Sequence, residues 1–314
     1  MDNKYVTAFA PASIGNLAVG FDMLGLAIEG AGDRVSVRKV SEKGVSIKEI
    51  YDLNGDPHPD LSKNSNENTA SIAAQALWQS QNRQDGLEML IYKGIPLQSG
   101  MGSSAASAVA GAVAANALLD IPLPIKELMP YALEGEKFAS GGIHADNVAP
   151  SLVGGMVFCP PVYLPMITSI KVPKNISSVL VHPELIVNTA ESRNGLAKNY
   201  SMSQWLEQQS YLAGFLLGLQ NNDLGLIKSS MHDVIIEPQR ASSVVCFNDI
   251  KSSAIEMGVL GCSLSGSGPS IFALCENNIA SDVKTMMMEI FNSNNIDSQG
   301  WVSSLDAPGA YVES

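Results

Sequence analysis

The chain has 314 residues, of which 46% are hydrophobic and 16% charged, a balance typical of folded globular proteins and not of disordered ones. Its formal net charge of -12 disfavours polyanionic partners, so neither nucleic acid nor a membrane is expected to bind it. Four cysteines without paired CxxC spacing indicate a reducing compartment, and residues 1–5 show no export signal, so we expect a cytoplasmic protein.

Strands and helices alternate irregularly along the first half of the chain. Runs rich in Val, Ile and aromatic residues predict strands over 5–10, 33–40 and 87–93. Helices are predicted over 66–81, 103–119 and 125–139, the second because it is Ala-rich and free of proline.

The second half mixes the two kinds of element as well, without regular βαβ repetition. Strands are predicted over 176–182, 270–275 and 299–304, and helices over 203–220, 223–232, 247–257 and 280–293. A Pro-rich passage after Gly154 and Gly155 indicates a boundary between a domain of residues 1–160 and one of residues 161–314. The expected fold class is α+β with two domains.

The most informative segment is the glycine- and serine-rich stretch 94–106, which follows a predicted strand and opens the Ala-rich helix. Gly100 and Gly102 allow positive φ and close approach of the backbone to a ligand, and the helix start presents unpaired amides to an anion. Ser103 or Ser104 can offer a hydroxyl to Mg²⁺. The segment matches neither the Walker A nor the dinucleotide fingerprint. By itself it fits a phosphate site and a plain serine-capped turn about equally well.

This stretch closely resembles the phosphate-binding motif of the GHMP kinases, small-molecule kinases named for galactose, homoserine, mevalonate and phosphomevalonate. Residues 11–22 resemble the first motif of that family and residues 261–270 the third, in the same chain order. Two departures are Met101, where leucine is usual, and Ala18, where glycine is often found. The resemblance implies an N-terminal domain like the second domain of ribosomal protein S5 and a ferredoxin-like C-terminal domain.

Three further segments resemble the homoserine branch of the family: 134–150, with its HADNVAP stretch, 188–193 and 233–240. The implied activity is transfer of the terminal phosphate of ATP to L-homoserine in threonine biosynthesis, with Mg²⁺. Homodimers are common in the family, so a homodimer is one expectation for the assembly. The alternatives are a kinase for another small alcohol, such as mevalonate, a sugar or shikimate, and a catalytically silent metabolite sensor on the same fold.

For ATP, the resemblance implies two groups of residues. The loop residues are Pro96, Ser99, Gly100, Met101, Gly102, Ser103, Ser104, Ala105, Ser267 and Gly268. The adenine contact is Asn68, for which helix capping is an equally good interpretation. Ser104 and Glu136 match the Mg²⁺ ligands of the family, with Glu134 as a rival.

For the amino-acid acceptor, the resemblance implies a carboxylate clamp of Arg193 and Arg240, whose guanidinium groups suit bidentate binding. Asp22 is the expected ammonium partner, with Asn16 and His144 in the same pocket. Without the resemblance, these arginines would be read as surface ion pairs, His144 as a structural residue, and Asn16 and Asp22 as residues that shape a loop.

The expected catalytic residue is Asn147, with Thr189 as a supporting contact to the acceptor oxygen. Relatives of the mevalonate and galactose types have an acidic residue in the catalytic position, but an amide cannot act as a general base. The sequence therefore predicts direct in-line transfer assisted by positioning, Mg²⁺ and loop amides.

Overall fold

The computed structural model describes residues 4–140, 142, 144–187 and 189–314, apart from the side chains of residues 140, 189 and 190. In the first half, the elements are β1 (Val6–Gly15), β2 (Leu24–Val40), β3 (Gly44–Tyr51), α1 (Thr69–Ser80), β4 (Gly86–Tyr92), α2 (Ser103–Ala117), α3 (Met129–Ser140), α4 (Ala145–Val153) and β5 (Met156–Phe158). In the second half, they are β6 (Thr168–Ile170), β7 (Ile176–Pro183), α5 (Thr189–Asn194), α6 (Met202–Asn221), α7 (Leu224–Ser230), α8 (Glu237–Arg240), α9 (Phe247–Glu256), β8 (Gly261–Leu264), β9 (Ile271–Glu276), α10 (Ala280–Ser293), β10 (Ser298–Ser304) and β11 (Tyr311–Val312).

The first sheet has its strands in the order β11-β1-β2-β4-β3, with β5 paired to β2 and β6 paired to β5. Its pairs are antiparallel except for β3 and β4, which run parallel. Helix α2 contacts β1 and β2 as well as α1, α3 and α4, so it lies at the centre of the helical layer. Seven of its eight alanines are buried, and their small size lets the neighbouring elements approach closely from several sides.

The second sheet is antiparallel, in the order β10-β7-β9-β8. Along the chain, β7, α9, β8, β9, α10 and β10 occur in the ferredoxin-like order of elements, with helices α5 to α8 inserted between β7 and α9. Apolar side chains from α9, α10, β7 and β9 form the core on one face of this sheet. The ferredoxin-like expectation for the C-terminal half is therefore confirmed.

The two sheets are connected beyond the chain crossover. Strand β10 contacts β2, and the backbone N–H of Glu29 donates to Ser303 Oγ at 2.8 Å. Strands β6 and β11 come from after residue 160 but belong to the first sheet. The boundary near residue 160 stays a prediction, because strands from both sides of it share that sheet.

The predicted elements correspond to observed ones, with shifted ends, but others were missed. Strand β3 carries Lys48 and Glu49, which hid its apolar alternation, and α4 contains Pro150, which argued against a helix. Within the described residues, no helix combines the length and apolar character needed to cross a bilayer.

Candidate active site

The predicted phosphate loop, residues 94–102, connects β4 to α2 and requires glycine at two points. Gly102 precedes α2 with a φ of 69°, and a Cβ there would lie 2.4 Å from Ser13 Oγ. Gly100 has a φ of 75°, and a Cβ there would lie 2.5 Å from the carbonyl oxygen of Ser265. Any side chain would thus clash and strain the backbone, so both glycines are fixed by the packing of the loop against other segments.

The three glycine-rich motifs of the chain meet at this loop. The N–H of Gly266 donates to the carbonyl oxygen of Gly15 at 3.2 Å, which joins the third motif to the first. Ser270 joins the third motif to the second, because its N–H and its Oγ both donate to the carbonyl oxygen of Ser99, at 3.2 and 2.6 Å. Segments more than 150 residues apart therefore form one connected wall.

The first motif turns through an uncommon backbone conformation. Asn16, Leu17 and Ala18 have φ values of 69°, 45° and 60°, and Asp22 has a φ of 57°. Asn and Asp tolerate this left-handed region, but residues such as Leu17 and Ala18 rarely adopt it, at a cost of roughly 1–2 kcal/mol each. The position of Ala18 is therefore one that glycine would occupy with less strain, and the strain is concentrated at the site, as is common in functional loops.

A cavity of about 390 Å³, the predicted nucleotide cavity, lies against the phosphate loop. It is lined by seven of the residues predicted to bind ATP: Asn68, Ser99, Gly100, Gly102, Ser103, Ser104 and Ser267. The other four, Pro96, Met101, Ala105 and Gly268, are not among its lining residues. Met101 and Ala105 are fully buried, so they support the loop from behind.

Asn68 has a structural role that is visible in the fold. It is the N-cap of α1, and its Oδ1 accepts a hydrogen bond from the N–H of Ala70 at 3.1 Å. It also lines the cavity, so the cap is established and the adenine contact stays a prediction.

The two residues predicted to hold Mg²⁺ face the same cavity. Ser104 and Glu136 both line it, whereas Glu134 is exposed and lines a separate groove with Lys137 and Phe138. Among the described residues, no group of three His, Cys, Asp or Glu side chains could hold a metal by itself. One hydroxyl and one carboxylate beside a phosphate loop suit Mg²⁺, which takes its remaining ligands from phosphates and water. The position of Glu136 in this cavity therefore favours it over Glu134 as the predicted Mg²⁺ ligand.

Asp22 and Arg193, predicted to bind opposite ends of an amino acid, contact each other. Arg193 Nη2 lies 2.6 Å from Asp22 Oδ1 and 2.5 Å from Oδ2. The N–H of Asp22 donates to Asn16 Oδ1 at 3.1 Å, which fixes the carboxylate beside the first motif. The pair is partly exposed, with 37% of the Arg193 side chain and 23% of the Asp22 side chain accessible.

The second predicted arginine lies deeper. Arg240 is 5% exposed, and its Nη1 donates to the carbonyl oxygen of Gly266 at 2.9 Å. Its Nε has no hydrogen-bond partner among the described residues. Burial, and next the charge of Arg193, lower the pKa of Arg240 from its ordinary value. A carboxylate bound here would relieve both the unpaired donor and the repulsion between the two cations.

His144, at the start of α4, is buried and completes this region. Its Nδ1 lies 3.7 Å from Glu136 Oε1, and its Nε2 has no partner among the described residues. Burial, followed by the charge of Arg193, lowers the pKa of His144, which favours the neutral ring. The histidine therefore lies beside Glu136, within the electrostatic influence of Arg193.

Asn147 lies on the first turn of α4 and lines the nucleotide cavity. Its Oδ1 accepts a hydrogen bond from Ser13 Oγ at 3.0 Å. The structure thus places the predicted catalytic amide beside the first motif and in the same cavity as residues of the phosphate loop. Thr189 begins α5, but its side chain lies outside the described residues.

Sequence reasoning missed two residues of the site. The Phe21 ring lies 5.4 Å from the guanidinium carbon of both Arg193 and Arg240, and an aromatic residue beside Asp22 in the first motif was the available signal. Asp146 is 3% exposed and accepts a hydrogen bond from the N–H of Asn16 at 3.2 Å. Burial, and next the charge of Asp22, raise the pKa of Asp146 to about 7. No sequence pattern indicated that burial.

A larger cavity, of about 650 Å³, opens beside Phe21 and Arg193. Its wall is largely apolar and includes Val19, Met23 and Ile236. It shares no lining residue with the nucleotide cavity. Of the predicted acceptor residues, His144 and Asn147 line the smaller cavity and Arg193 lines the larger one, whereas Asn16, Asp22 and Arg240 line neither.

Comparisons with known proteins agree with this arrangement. Residues 68–155 match the family model described as GHMP kinases N terminal domain, and residues 215–291 match GHMP kinases C terminal. The Methanococcus jannaschii mevalonate kinase structure, 15% identical, covers 97% of this chain and 99% of its own with a TM-score of 0.68, which shows the fold alone. The chain belongs to the GHMP kinases, and the predicted α+β two-domain fold of that family is confirmed.

More similar relatives define the branch. Homoserine kinase from Xanthomonas campestris pv. campestris (strain B100) is 40% identical over 304 residues, covering 96% of this chain and 92% of that protein. Homoserine kinase from Chlorobium phaeobacteroides (strain BS1) is 39% identical over 98% of this chain and 99% of its own. The crystal structure of homoserine kinase from Cytophaga hutchinsonii ATCC 33406 has a TM-score of 0.94 at 39% identity, covering 100% of this chain and 98% of its own. Within the GHMP kinases, the chain belongs to the homoserine kinases, and as a kinase of this family it uses ATP.

Proposed function

We propose that the chain transfers the γ-phosphate of ATP directly to the side-chain hydroxyl of L-homoserine, with Mg²⁺ held between Ser104, Glu136 and the phosphates. The product, O-phospho-L-homoserine, would enter threonine biosynthesis in the cytoplasm, and the working assembly would be the enzyme alone or a homodimer. The observation that carries the proposal is the position of Asn147, which lines the same cavity as Ser104 and Glu136 and accepts a hydrogen bond from Ser13 of the first motif.

The acceptor site suits a zwitterion. An α-amino acid carries an ammonium and a carboxylate on the same carbon, and the Asp22–Arg193 pair offers a matching charge to each. Binding would replace one partly exposed ion pair by two, and Arg240 would supply a second guanidinium to the carboxylate through its unpaired Nε. These charge-assisted bonds select an amino acid over an uncharged alcohol.

The amide of Asn147 suits positioning and not proton removal. Because its Oδ1 accepts from Ser13, its NH₂ group is the part that would face the acceptor oxygen, and it would hold that oxygen by donating to it. The neighbouring carboxylate of Asp146 lines neither cavity and holds the N–H of Asn16. The hydroxyl proton would therefore leave late in the transfer, to phosphate or water.

The remaining chemistry is charge stabilisation. Amides at the start of α2 would face the phosphates, since a helix N-terminus carries unpaired N–H groups and partial positive charge. Bound Mg²⁺ would neutralise phosphate charge. Glu136 would orient the metal, and its neighbour His144, neutral because of burial, would add no competing positive charge.

The function is tested by ADP release from Mg·ATP with L-homoserine, D-homoserine, L-serine, mevalonate, galactose, shikimate or no acceptor, with mass analysis of the product. Selective release with L-homoserine is expected. Selectivity for another alcohol would overturn the acceptor assignment, and nucleotide binding without transfer to any of these acceptors would favour a sensor.

The role of Asn147 is tested by Asn147→Leu, which keeps the approximate size and removes the amide. We expect kcat to fall at least about tenfold, the loss of one hydrogen bond to a reacting oxygen, while ATP binding changes little. Unchanged kcat would refute the role.

A further inference from the structure

Asp33, Lys93 and Ser107 form a buried polar cluster behind the phosphate loop. Their exposed fractions are 0%, 6% and 4%. Asp33 lies on β2, Lys93 directly follows β4, and Ser107 lies on the second turn of α2. The cluster therefore joins the sheet, the loop and the helix that the nucleotide site requires.

The two charges hold opposite ends of the loop. Asp33 Oδ1 accepts hydrogen bonds from the N–H groups of Gly94, at 2.9 Å, and Ile95, at 3.2 Å, where the loop begins. Lys93 Nζ donates to the carbonyl oxygen of Ser103 at 3.1 Å, where the loop ends and α2 starts. Because Lys93 Nζ also contacts Asp33 Oδ2, the same ion pair fixes both ends.

The cluster uses all of its hydrogen-bonding capacity. An ammonium has three donors, and those of Lys93 are directed at Asp33, Ser103 and Ser107, the last at 2.7 Å. A carboxylate accepts about four hydrogen bonds, and Asp33 takes two from the loop, one from Lys93 and one from Ser107 Oγ at 2.5 Å. Although Lys93 lines the nucleotide cavity, it has no donor left for a phosphate oxygen.

We infer that the Asp33–Lys93 pair is a positioning device that holds the phosphate loop in its nucleotide-binding shape, and that Lys93 is not itself a phosphate ligand. Without the pair, the loop would sample other conformations and its amides would converge on phosphate less often, so nucleotide affinity would fall. The inference rests on the proposed function, because it requires that this loop binds the phosphates of ATP.

The test compares Lys93→Met, Asp33→Asn and the charge-balanced double variant. Either single change leaves a buried charge or group unpaired and can prevent folding, so the double variant carries the test. Calorimetry measures Mg·ADP, which has phosphates, and adenosine, which has none. We expect the double variant to bind Mg·ADP about tenfold more weakly, as one or two hydrogen bonds to phosphate are lost, and adenosine within about twofold of the wild type.

A matched control removes another ion pair between β2 and β4, at the end away from the loop. Arg38→Met with Glu88→Gln breaks the pair whose nitrogen and oxygen are 2.7 Å apart, and it should leave binding of both ligands unchanged. Where the single variants fold, their losses should not add in the double variant, because one removed partner already disables the pair.

Three results would overturn the inference: undiminished Mg·ADP binding by the double variant, equal weakening for adenosine, or additive losses, which would make Lys93 an independent phosphate ligand. Failure of the wild-type protein to bind Mg·ADP would instead contradict the proposed function. The two failures are therefore distinguishable.

Discussion

Asp146→Asn should make the protein more stable, by an amount that grows with pH. Burial raises the pKa of Asp146 from 3.8 to about 7 in the folded chain, and its Oδ2 accepts a hydrogen bond from the N–H of Asn16. Asparagine resembles the protonated acid in shape, and its carbonyl oxygen can still accept from that N–H. The variant thus removes the ionisation and little else.

The sign of the effect follows from the raised pKa. Below about pH 4 the carboxyl group is protonated in both states, so the stability associated with its burial is fully present. As pH rises towards 7 the unfolded chain loses this proton first, and stability falls until the folded group ionises too. The rise in the pKa of Asp146 from 3.8 to about 7 corresponds to a loss of about 4 kcal/mol in the free energy of unfolding, as an upper bound. The advantage of the variant should therefore grow between about pH 4 and 7 and level off above that.

Urea unfolding monitored by circular dichroism at half-unit steps from pH 5 to 8.5 measures this difference. Asp120→Asn is the matched control: its side chain is 80% exposed, and loss of its ion pair with Arg83 should change the free energy of unfolding by less than about 1 kcal/mol, by the same amount at every pH in this range. A difference between Asp146→Asn and the wild type that does not vary with pH, or a variant less stable at pH 8, would refute the reasoning.

Three further changes test single assignments. Arg193→Lys keeps the charge but loses the bidentate fork, so the KM for homoserine should rise about tenfold while the KM for ATP stays constant; a shift confined to ATP would contradict the clamp. Glu136→Gln should raise the Mg²⁺ concentration needed for half-maximal rate, whereas Glu134→Gln should not. The reverse result would identify Glu134 as the metal ligand. Asn68→Ser keeps a capping oxygen and Asn68→Ala removes it, so only the second should cost about 1 kcal/mol in unfolding, while both should raise the KM for ATP if the amide contacts adenine. An unchanged KM in both would leave Asn68 a cap alone.

Local chemistry made part of the site predictable. Glycines at positions 100 and 102, before an Ala-rich helix, indicated a phosphate loop, and the structure shows why glycine is needed there. The other site residues were predicted from the family resemblance. Nothing in the sequence around His144, Asn147 or Arg240 distinguishes a functional residue from one that only packs. The ferredoxin-like half followed from the same resemblance.

Other features depend on contacts between distant segments. The Asp22–Arg193 pair joins residues 171 positions apart, and nothing near either residue predicts it. The burial that raises the pKa of Asp146 arises from packing of α4 against β1 and β2, which periodicity does not reveal. Pro150 hid α4 because proline is unfavourable inside helices, although here the helix tolerates it.

The measurement that most directly tests the account is the stereochemical course of transfer to L-homoserine, using ATP made chiral at the γ-phosphorus with oxygen isotopes. A single in-line transfer to a hydroxyl held by Asn147 predicts O-phosphohomoserine with inverted configuration at phosphorus. Retention of configuration would reveal a phosphorylated enzyme intermediate. Transfer of the labelled phosphate to water instead of homoserine would contradict the proposed acceptor site.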